Sequence, residues 1–154
     1  MRNKNRGKKA GLWLLIGALL FSPASLQAAI TLKVVLKDTQ QIFWERPVSS
    51  GSVFSLTHLN SIYEAPVEEA FRVDDRGLIW LKALRTDSAA VLEYYGIEEV
   101  SQEWITLSRP LDRLSLIITP RGEVTLRFEN EKIPLSELLP DGTRVEIRAF
   151  SVKK

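Results

Sequence analysis

Residues 67–81 have the sequence VEEAFRVDDRGLIWL, and this stretch decides the fold. Val67, Phe71 and Val73 would share one face of a strand, with Glu69 among them, because side chains alternate between the two faces of a sheet. The polar run DDRG that follows is a turn signal, and a second apolar run comes directly after it. The segment therefore predicts a β-hairpin.

The rest of the mature chain repeats this pattern on both sides of the hairpin. Strands are predicted at residues 30–36, 41–48, 53–59, 67–73, 78–81, 104–107, 114–118, 124–128 and 145–149. The fold class is therefore all-β: an antiparallel β-sandwich or a partly open barrel of about nine short strands. At most one short helical turn is expected, at residues 136–139. The acidic residues 87–103 predict a mobile excursion with a short strand near Ile97–Val100.

The N-terminal residues have the anatomy of a secretory signal peptide. Five basic residues precede an apolar run of about 12 residues, which is shorter than the roughly 20 needed to span a bilayer, and small residues follow. We expect residues 1–28 to be a signal peptide and residues 29–154 to be a single β-rich domain. The predicted location is periplasmic, or extracellular, with membrane contact only through a partner.

Charge and composition exclude several functional classes. The chain has 21 basic and 19 acidic residues, but five basic residues lie in the predicted leader, so the mature part has a net charge of −3. Without a basic stripe, nucleic-acid binding is not expected. The chain has no cysteine, which excludes disulfides and thiolate chemistry. Phosphate-binding glycine loops and HExxH motifs are absent, so no cofactor or metal is predicted.

The candidates for nucleophilic catalysis are weak. His58 is the one histidine, and Ser55 or Ser61 would have to act with it. Neither serine lies in a G-x-S-x-G turn, and His58 would share the face of the apolar residues before it. A packed histidine is the favoured interpretation, and the sequence predicts a protein that is not an enzyme, with no catalytic residues.

Three other residues stand out. Glu69 would lie on an apolar face, where a carboxylate has to be paired or hydrogen-bonded, for instance with an arginine, or border a cavity. Tyr94 and Tyr95 are adjacent aromatic residues among acidic ones. Such residues can stack on a ligand, contact a protein partner or pack internally, and the sequence leaves these alternatives open.

Several segments resemble a known family. They are FSLTHLNSIYEAPVEE at residues 54–69, RPLDRLSLII at residues 109–118, and the IPL and PDGTRVEI motifs between residues 133 and 147. Together they resemble an uncharacterised bacterial family, domain of unknown function eighteen-fifty, over residues 44–150. Two features depart from that family. Its signature histidine falls on Asn60, and its glycine-rich stretch corresponds to residues 88–92, which contain no glycine.

The resemblance implies a function in solute uptake. Members of that family are often small exported proteins encoded beside tripartite ATP-independent periplasmic (TRAP) transporters of the TAXI type. The implied role is a non-enzymatic accessory whose partner is a transporter subunit or a solute-binding protein. We expect its binding residues to be Asn60, Ser61 and Glu69, with Tyr94 and Tyr95 as a second patch. The oligomeric state stays open.

Two other functions remain as alternatives. The first is a small-ligand or carbohydrate-binding module that uses the two tyrosines and Trp104. The second, ranked last, is a hydrolase built on His58 and a nearby serine.

Overall fold

The computed structural model describes residues 30–98 and 103–151. The predicted signal peptide lies outside these residues, as does the end of the short strand predicted near Ile97–Val100. The strands are β1 (Ile30–Leu36), β2 (Ile42–Val48), β3 (Val53–Asn60), β4 (Ala65–Val73), β5 (Ile79–Arg85), β6 (Ile105–Leu111), β7 (Leu114–Ile117), β8 (Thr125–Phe128), β9 (Glu131–Pro134) and β10 (Arg144–Ser151). The helices are α1 (Ala89–Tyr94) and α2 (Leu135–Leu138).

The strands form two antiparallel sheets that face each other. Sheet A has the order β2-β1-β10-β7, and sheet B has the order β6-β5-β4-β3-β8-β9. The first and last strands pair along their length, so that Ile30 lies opposite Ser151. The all-β sandwich predicted from the sequence is confirmed, and the architecture is not a closed barrel.

The expectation of at most one helical turn was wrong, because the described chain contains two short helices. α2 corresponds to the predicted turn, whereas α1 lies where a loop was expected. The Ser88 hydroxyl caps α1 by accepting a hydrogen bond from the Val91 N–H at 3.3 Å. With six residues, α1 is too short to show a helical period in the sequence. No helix in the described ranges has the length and apolar character of a membrane span.

The core lies between the inner faces of the two sheets. Sheet A contributes Leu32 and Val34, which are fully buried, and sheet B contributes Leu56 and Phe71. The ring of Phe71 stacks on that of Phe54, with their centroids 5.0 Å apart. Each large apolar side chain buried here stabilises the fold by about 1.5–3 kcal/mol. This layer fixes which residues of each strand face inward.

One side of the sandwich is closed by a clamp between edge strands. Arg46 of β2 donates two hydrogen bonds to the carboxylate of Glu131 on β9, at 2.7 and 3.0 Å. The Trp44 indole N–H donates to the same carboxylate at 3.1 Å, and its ring packs edge-on against Phe128. The hydrogen bonds from Arg46 and Trp44 lower the pKa of Glu131. The two sheets are therefore tied together at the β2–β9 side.

Asp74 organises the turn between β4 and β5, and its pKa gives a testable pH dependence. Partial burial opposes ionisation, but hydrogen bonds from the Leu78 and Arg76 N–H groups and the Trp80 indole outweigh it and lower the pKa. A lowered folded-state pKa adds stability above the unfolded pKa of about 3.9, and this stability is lost as the pH falls through the folded value. We expect the gap in unfolding free energy between wild type and Asp74→Asn to be constant from about pH 7 to pH 5 and to shrink below about pH 4. Urea unfolding at a series of pH values measures it, and a gap that is constant down to about pH 2 would contradict the assignment.

Gly77 in the same turn is required for two separate reasons. Its φ is +81°, and a Cβ atom there would lie 3.2 Å from the Ala149 carbonyl oxygen and 3.2 Å from the Ser151 nitrogen. Gly142 has a similar φ of +78° with no atom within 4 Å of such a Cβ. We expect Gly142→Ala to cost about 1 kcal/mol and Gly77→Ala about 2–3 kcal/mol of unfolding free energy. Chemical denaturation measures this difference. Equal losses of unfolding free energy in the two variants would show that the close approach of the β10 backbone to residue 77 is unimportant.

Candidate functional site

The apolar inner face of sheet B ends in a polar group. Along β3, the inward positions are Phe54 and Leu56, followed by His58 and Asn60; on β4, Glu69 interrupts the apolar inward positions. Glu69 is 8% exposed although it is a carboxylate. Such a group is costly to bury unless its oxygens are hydrogen-bonded. Its partners therefore determine the character of the site.

Helix α1 brings the first partner to Glu69. Val91 of this helix packs against Ala65 and Val67 of β4, which places Tyr95 over the inner face of the sheet. The Tyr95 hydroxyl donates a hydrogen bond of 2.7 Å to Oε1 of Glu69. Arg109 holds the other side of Tyr95, because its guanidinium donates to the Tyr95 carbonyl oxygen and lies over the ring.

The second partner is His58, whose Nε2 lies 3.4 Å from Oε2 of Glu69. The arginine suggested as a partner from the sequence was therefore a wrong prediction, because Glu69 is held by a tyrosine and a histidine. Burial, together with the neighbouring Glu69, raises the pKa of Tyr95 well above its ordinary value. The phenol thus stays protonated and acts as a permanent donor to Glu69.

Asn60 has a local structural role at the end of β3. Its Oδ1 accepts hydrogen bonds from the N–H groups of Ile62 and Tyr63, at 3.0 and 3.1 Å. An asparagine that accepts from residues two and three positions ahead stabilises a turn. Ser61 lies within this turn and is exposed. The turn places Ile62 and Tyr63 beside the polar group.

An open cleft of 320 Å³ lies between the end of the β3–β4 hairpin, the residues Tyr94 and Tyr95, and strand β7. We call it the Glu69 cleft; its lining residues are His58, Asn60, Ile62, Tyr63, Glu69, Tyr94, Tyr95, Leu114, Ser115 and Leu116. Three of its large side chains are exposed: Ile62 at 76%, Tyr94 at 74% and Tyr63 at 43%. The cleft thus has a polar, hydrogen-bonded floor and an apolar, partly aromatic rim.

The structure brings together four of the five residues predicted from the sequence: Asn60, Glu69, Tyr94 and Tyr95 all line the Glu69 cleft, whereas Ser61 does not. Sequence reasoning missed Ile62, Tyr63 and β7 as parts of the site. An apolar pair inside a turn, where polar residues are usual, was the available signal for Ile62 and Tyr63. No local signal in β7 indicates its proximity, because that depends on the pairing of β7 with β10.

Trp104 and Ser55 do not belong to the cleft. The Arg85 guanidinium lies over the Trp104 ring, 5.1 Å from its centroid, and also donates to Glu68 at 2.5 Å. Glu68 is adjacent to Glu69, so alternation places it on the opposite, outer face of sheet B. Ser55 is likewise on the opposite face from His58, because the two residues are three positions apart along β3, an odd offset.

A larger depression of 520 Å³ lies near Arg85 and Glu68. We regard it as a weaker candidate despite its size, because none of the large apolar side chains exposed in the described residues lines it. Within residues 30–98 and 103–151, no group of three or more histidine or acidic side chains is arranged to hold a metal ion. The Glu69 cleft is therefore the stronger candidate site.

Comparisons with protein-family models, with curated proteins and with solved structures found no match to this chain. The resemblance to domain of unknown function eighteen-fifty therefore stays a prediction from the sequence motifs.

The two adjacent tyrosines provide a matched test of the polar floor. Tyr95→Phe deletes the hydrogen bond to Glu69, whereas Tyr94→Phe alters an exposed residue with no such bond. We expect Tyr95→Phe to lower the unfolding free energy by about 1–3 kcal/mol, because the bond is to a charged and buried acceptor. We expect Tyr94→Phe to change it by less than about 0.5 kcal/mol.

Combining Tyr95→Phe with Glu69→Gln gives a double-mutant cycle by chemical denaturation, in which a coupling of about 1 kcal/mol or more is expected. Additive effects of the two substitutions would show that the bond contributes nothing to the fold.

Proposed function

We propose that this protein is a non-enzymatic interaction module that binds a protein partner at the Glu69 cleft. The observation that carries the proposal is the exposed apolar rim around a floor whose carboxylate, Glu69, is already held by Tyr95 and His58. Polar groups that already pair with each other are little available for a reaction. Covering the exposed large side chains of the rim with a partner is favourable, because it removes apolar surface from water.

The composition of the rim favours a protein partner. Tyr63 and Tyr94 are aromatic residues that combine a large contact area with a polar hydroxyl, and Ile62 adds apolar surface to the same rim. Aromatic residues are enriched at protein interfaces, and a few central anchors usually supply most of the binding energy. The three side chains are of the kind that such anchors have.

The contacts of His58 support a role other than catalysis. Its Nε2 faces Glu69, and Ser55 lies on the opposite face of the sheet. Ser61, the other candidate nucleophile, is not part of the cleft lining. A serine hydrolase needs a serine within hydrogen-bond reach of the histidine, and among the described residues neither proposed serine hydrogen-bonds to His58.

The proposed partner is a transporter subunit or a solute-binding protein of a TRAP-type system. Two sequence expectations support this choice: the signal peptide predicted for residues 1–28 and the resemblance to a family associated with such transporters. Binding at an envelope location would use the rim that the fold leaves uncovered.

A small-ligand or carbohydrate-binding module is the second candidate. The cleft volume of 320 Å³ is at the lower end of the range for ligand pockets, and Tyr94 could stack on a ring. Trp104, which this function would also use, stacks with Arg85 and does not line the cleft. The geometry therefore favours the protein partner.

Site-specific photocrosslinking in intact cells tests the proposal. A photoreactive phenylalanine analogue replaces Tyr94 on the rim; the matched control places it at Ile42, which is 44% exposed on β2, at the opposite edge of sheet A. We expect position 94, but not position 42, to crosslink a transporter subunit or a solute-binding protein identified by mass spectrometry. An added Ile62→Ser substitution should reduce that capture by about 10-fold, because an exposed apolar residue of the rim is lost.

Equal capture from both positions, or none from position 94, would overturn the proposal. Saturable quenching of tyrosine fluorescence by a sugar panel, abolished by Tyr94→Ala, would instead establish the second candidate.

A further inference from the structure

We infer that the Glu69 cleft receives its partner by strand addition: an extended segment of another protein, with alternating apolar and acidic residues, pairs with the free edge of β7. This inference depends on the proposed function and specifies its mode of binding. The first observation is that β7 is an edge strand of sheet A and also forms one wall of the cleft.

The backbone of β7 has hydrogen-bonding groups directed away from its neighbour. β7 pairs with β10 so that Ile117 lies opposite Arg144, and the Ile118 N–H donates to the Thr143 carbonyl at 2.8 Å. In an antiparallel pair, every second residue of a strand directs its backbone N–H and C=O groups toward the neighbouring strand, and the residues between direct theirs away from it. Ser115 and Ile117 therefore direct their N–H and C=O groups outward, where no further strand of the described residues pairs with them.

The other three edge strands carry features that hinder pairing. β2 contains Pro47, β6 contains Pro110 and β9 contains Pro134. The ladders of β2 and β6 also have register shifts, and β9 contains Lys132. Proline, lysine and bulges are among the devices by which natural sheets block their edges. The sequence of β7 is LSLI, with none of them, and its ladder is regular.

The cleft specifies the inward side chains of an added strand. Leu114 and Leu116 of β7 face the core side and line the cleft. Cross-strand neighbours share a face, so residues of the added strand opposite these leucines would point toward the rim formed by Tyr94 and its neighbours. That rim is apolar, and the matching positions of the added segment are therefore apolar.

The outer face specifies the alternate side chains. Glu146 lies opposite Ser115 and is 2% exposed. Three cations surround this single carboxylate: Lys37 at 3.7 Å, Arg113 at 3.8 Å and Arg148. This group, which we call the Glu146 cluster, has a net charge of +2 when its members are ionised. Arg113, 57% exposed, is on the same face as Ser115, so acidic residues at the outward positions would be attracted to it.

The same charge argues against a second copy of this chain as the occupant. Pairing of β7 with β7 of another copy would bring two Glu146 clusters of equal sign to one seam. Like charges across a strand pair destabilise it. An acidic-apolar segment of a different protein removes that repulsion and adds attraction.

A random heptapeptide phage library selected against the purified mature domain tests the mode of binding. We expect enrichment of peptides that alternate apolar and acidic residues. In fluorescence anisotropy, Ser115→Pro should weaken the enriched peptide by at least about 10-fold, since it removes an outward N–H. The control Ser115→Ala keeps that N–H and should bind as wild type does. Amide hydrogen exchange at Ser115 and Ile117 should slow when the peptide binds.

Several outcomes would overturn strand addition. They are no enrichment, equal binding by the Pro and Ala variants when both show a wild-type melting temperature, or no protection at Ser115 and Ile117. Dimerisation of the free domain that Ser115→Pro abolishes would identify a second copy as the occupant. If position 94 still captures its partner when Ser115 is replaced by proline, strand addition is contradicted but the proposed function is not. If the peptide pairs with β7 but position 94 captures nothing, the proposed partner is contradicted but strand addition is not.

Discussion

The two sheets differ in width, and the rest of the molecule depends on this constraint. A sheet of four strands cannot cover the inner face of a sheet of six. On the β2–β9 side, the Arg46–Glu131 clamp brings the two edges together, so the uncovered part of sheet B lies toward the other side. There α1 covers Ala65 and Val67, and Tyr95 reaches Glu69. The cleft forms where the apolar core between the two sheets ends and the polar pair of Glu69 and Tyr95 begins.

The sequence predicts much of this fold because strand signals are local. The alternation around Val67–Val73 and the turn chemistry of Asp74 and Gly77 need no knowledge of the rest of the chain. Glu69 stands out for the same reason, since parity alone places a carboxylate on an apolar face. The alternation of side chains along a strand cannot predict which residue hydrogen-bonds to Glu69. Tyr95 reaches Glu69 only because a short helix, invisible to periodicity, packs on β4.

The features that the sequence did not predict depend on pairings between distant strands. β7 becomes a wall of the cleft through its ladder with β10, about thirty residues away along the chain. Glu146 shows the same dependence: its cations come from Lys37, Arg113 and Arg148, which lie in three separate segments. No window of sequence contains such a cluster, and only the assembled sheet brings it together.

The pairing of β1 with β10 has a consequence for how the chain folds. Because Ile30 lies opposite Ser151, the centre of sheet A joins the two ends of the domain. A ribosome makes the C-terminal strand last, so β1 and its buried Leu32 have no β10 to pair with until the whole domain has been synthesised. Pairings this distant are slow to form. The nascent chain therefore keeps one edge of β1 unpaired until residues 144–151 have been made, and a truncation before residue 144 would remove a central strand rather than a peripheral one.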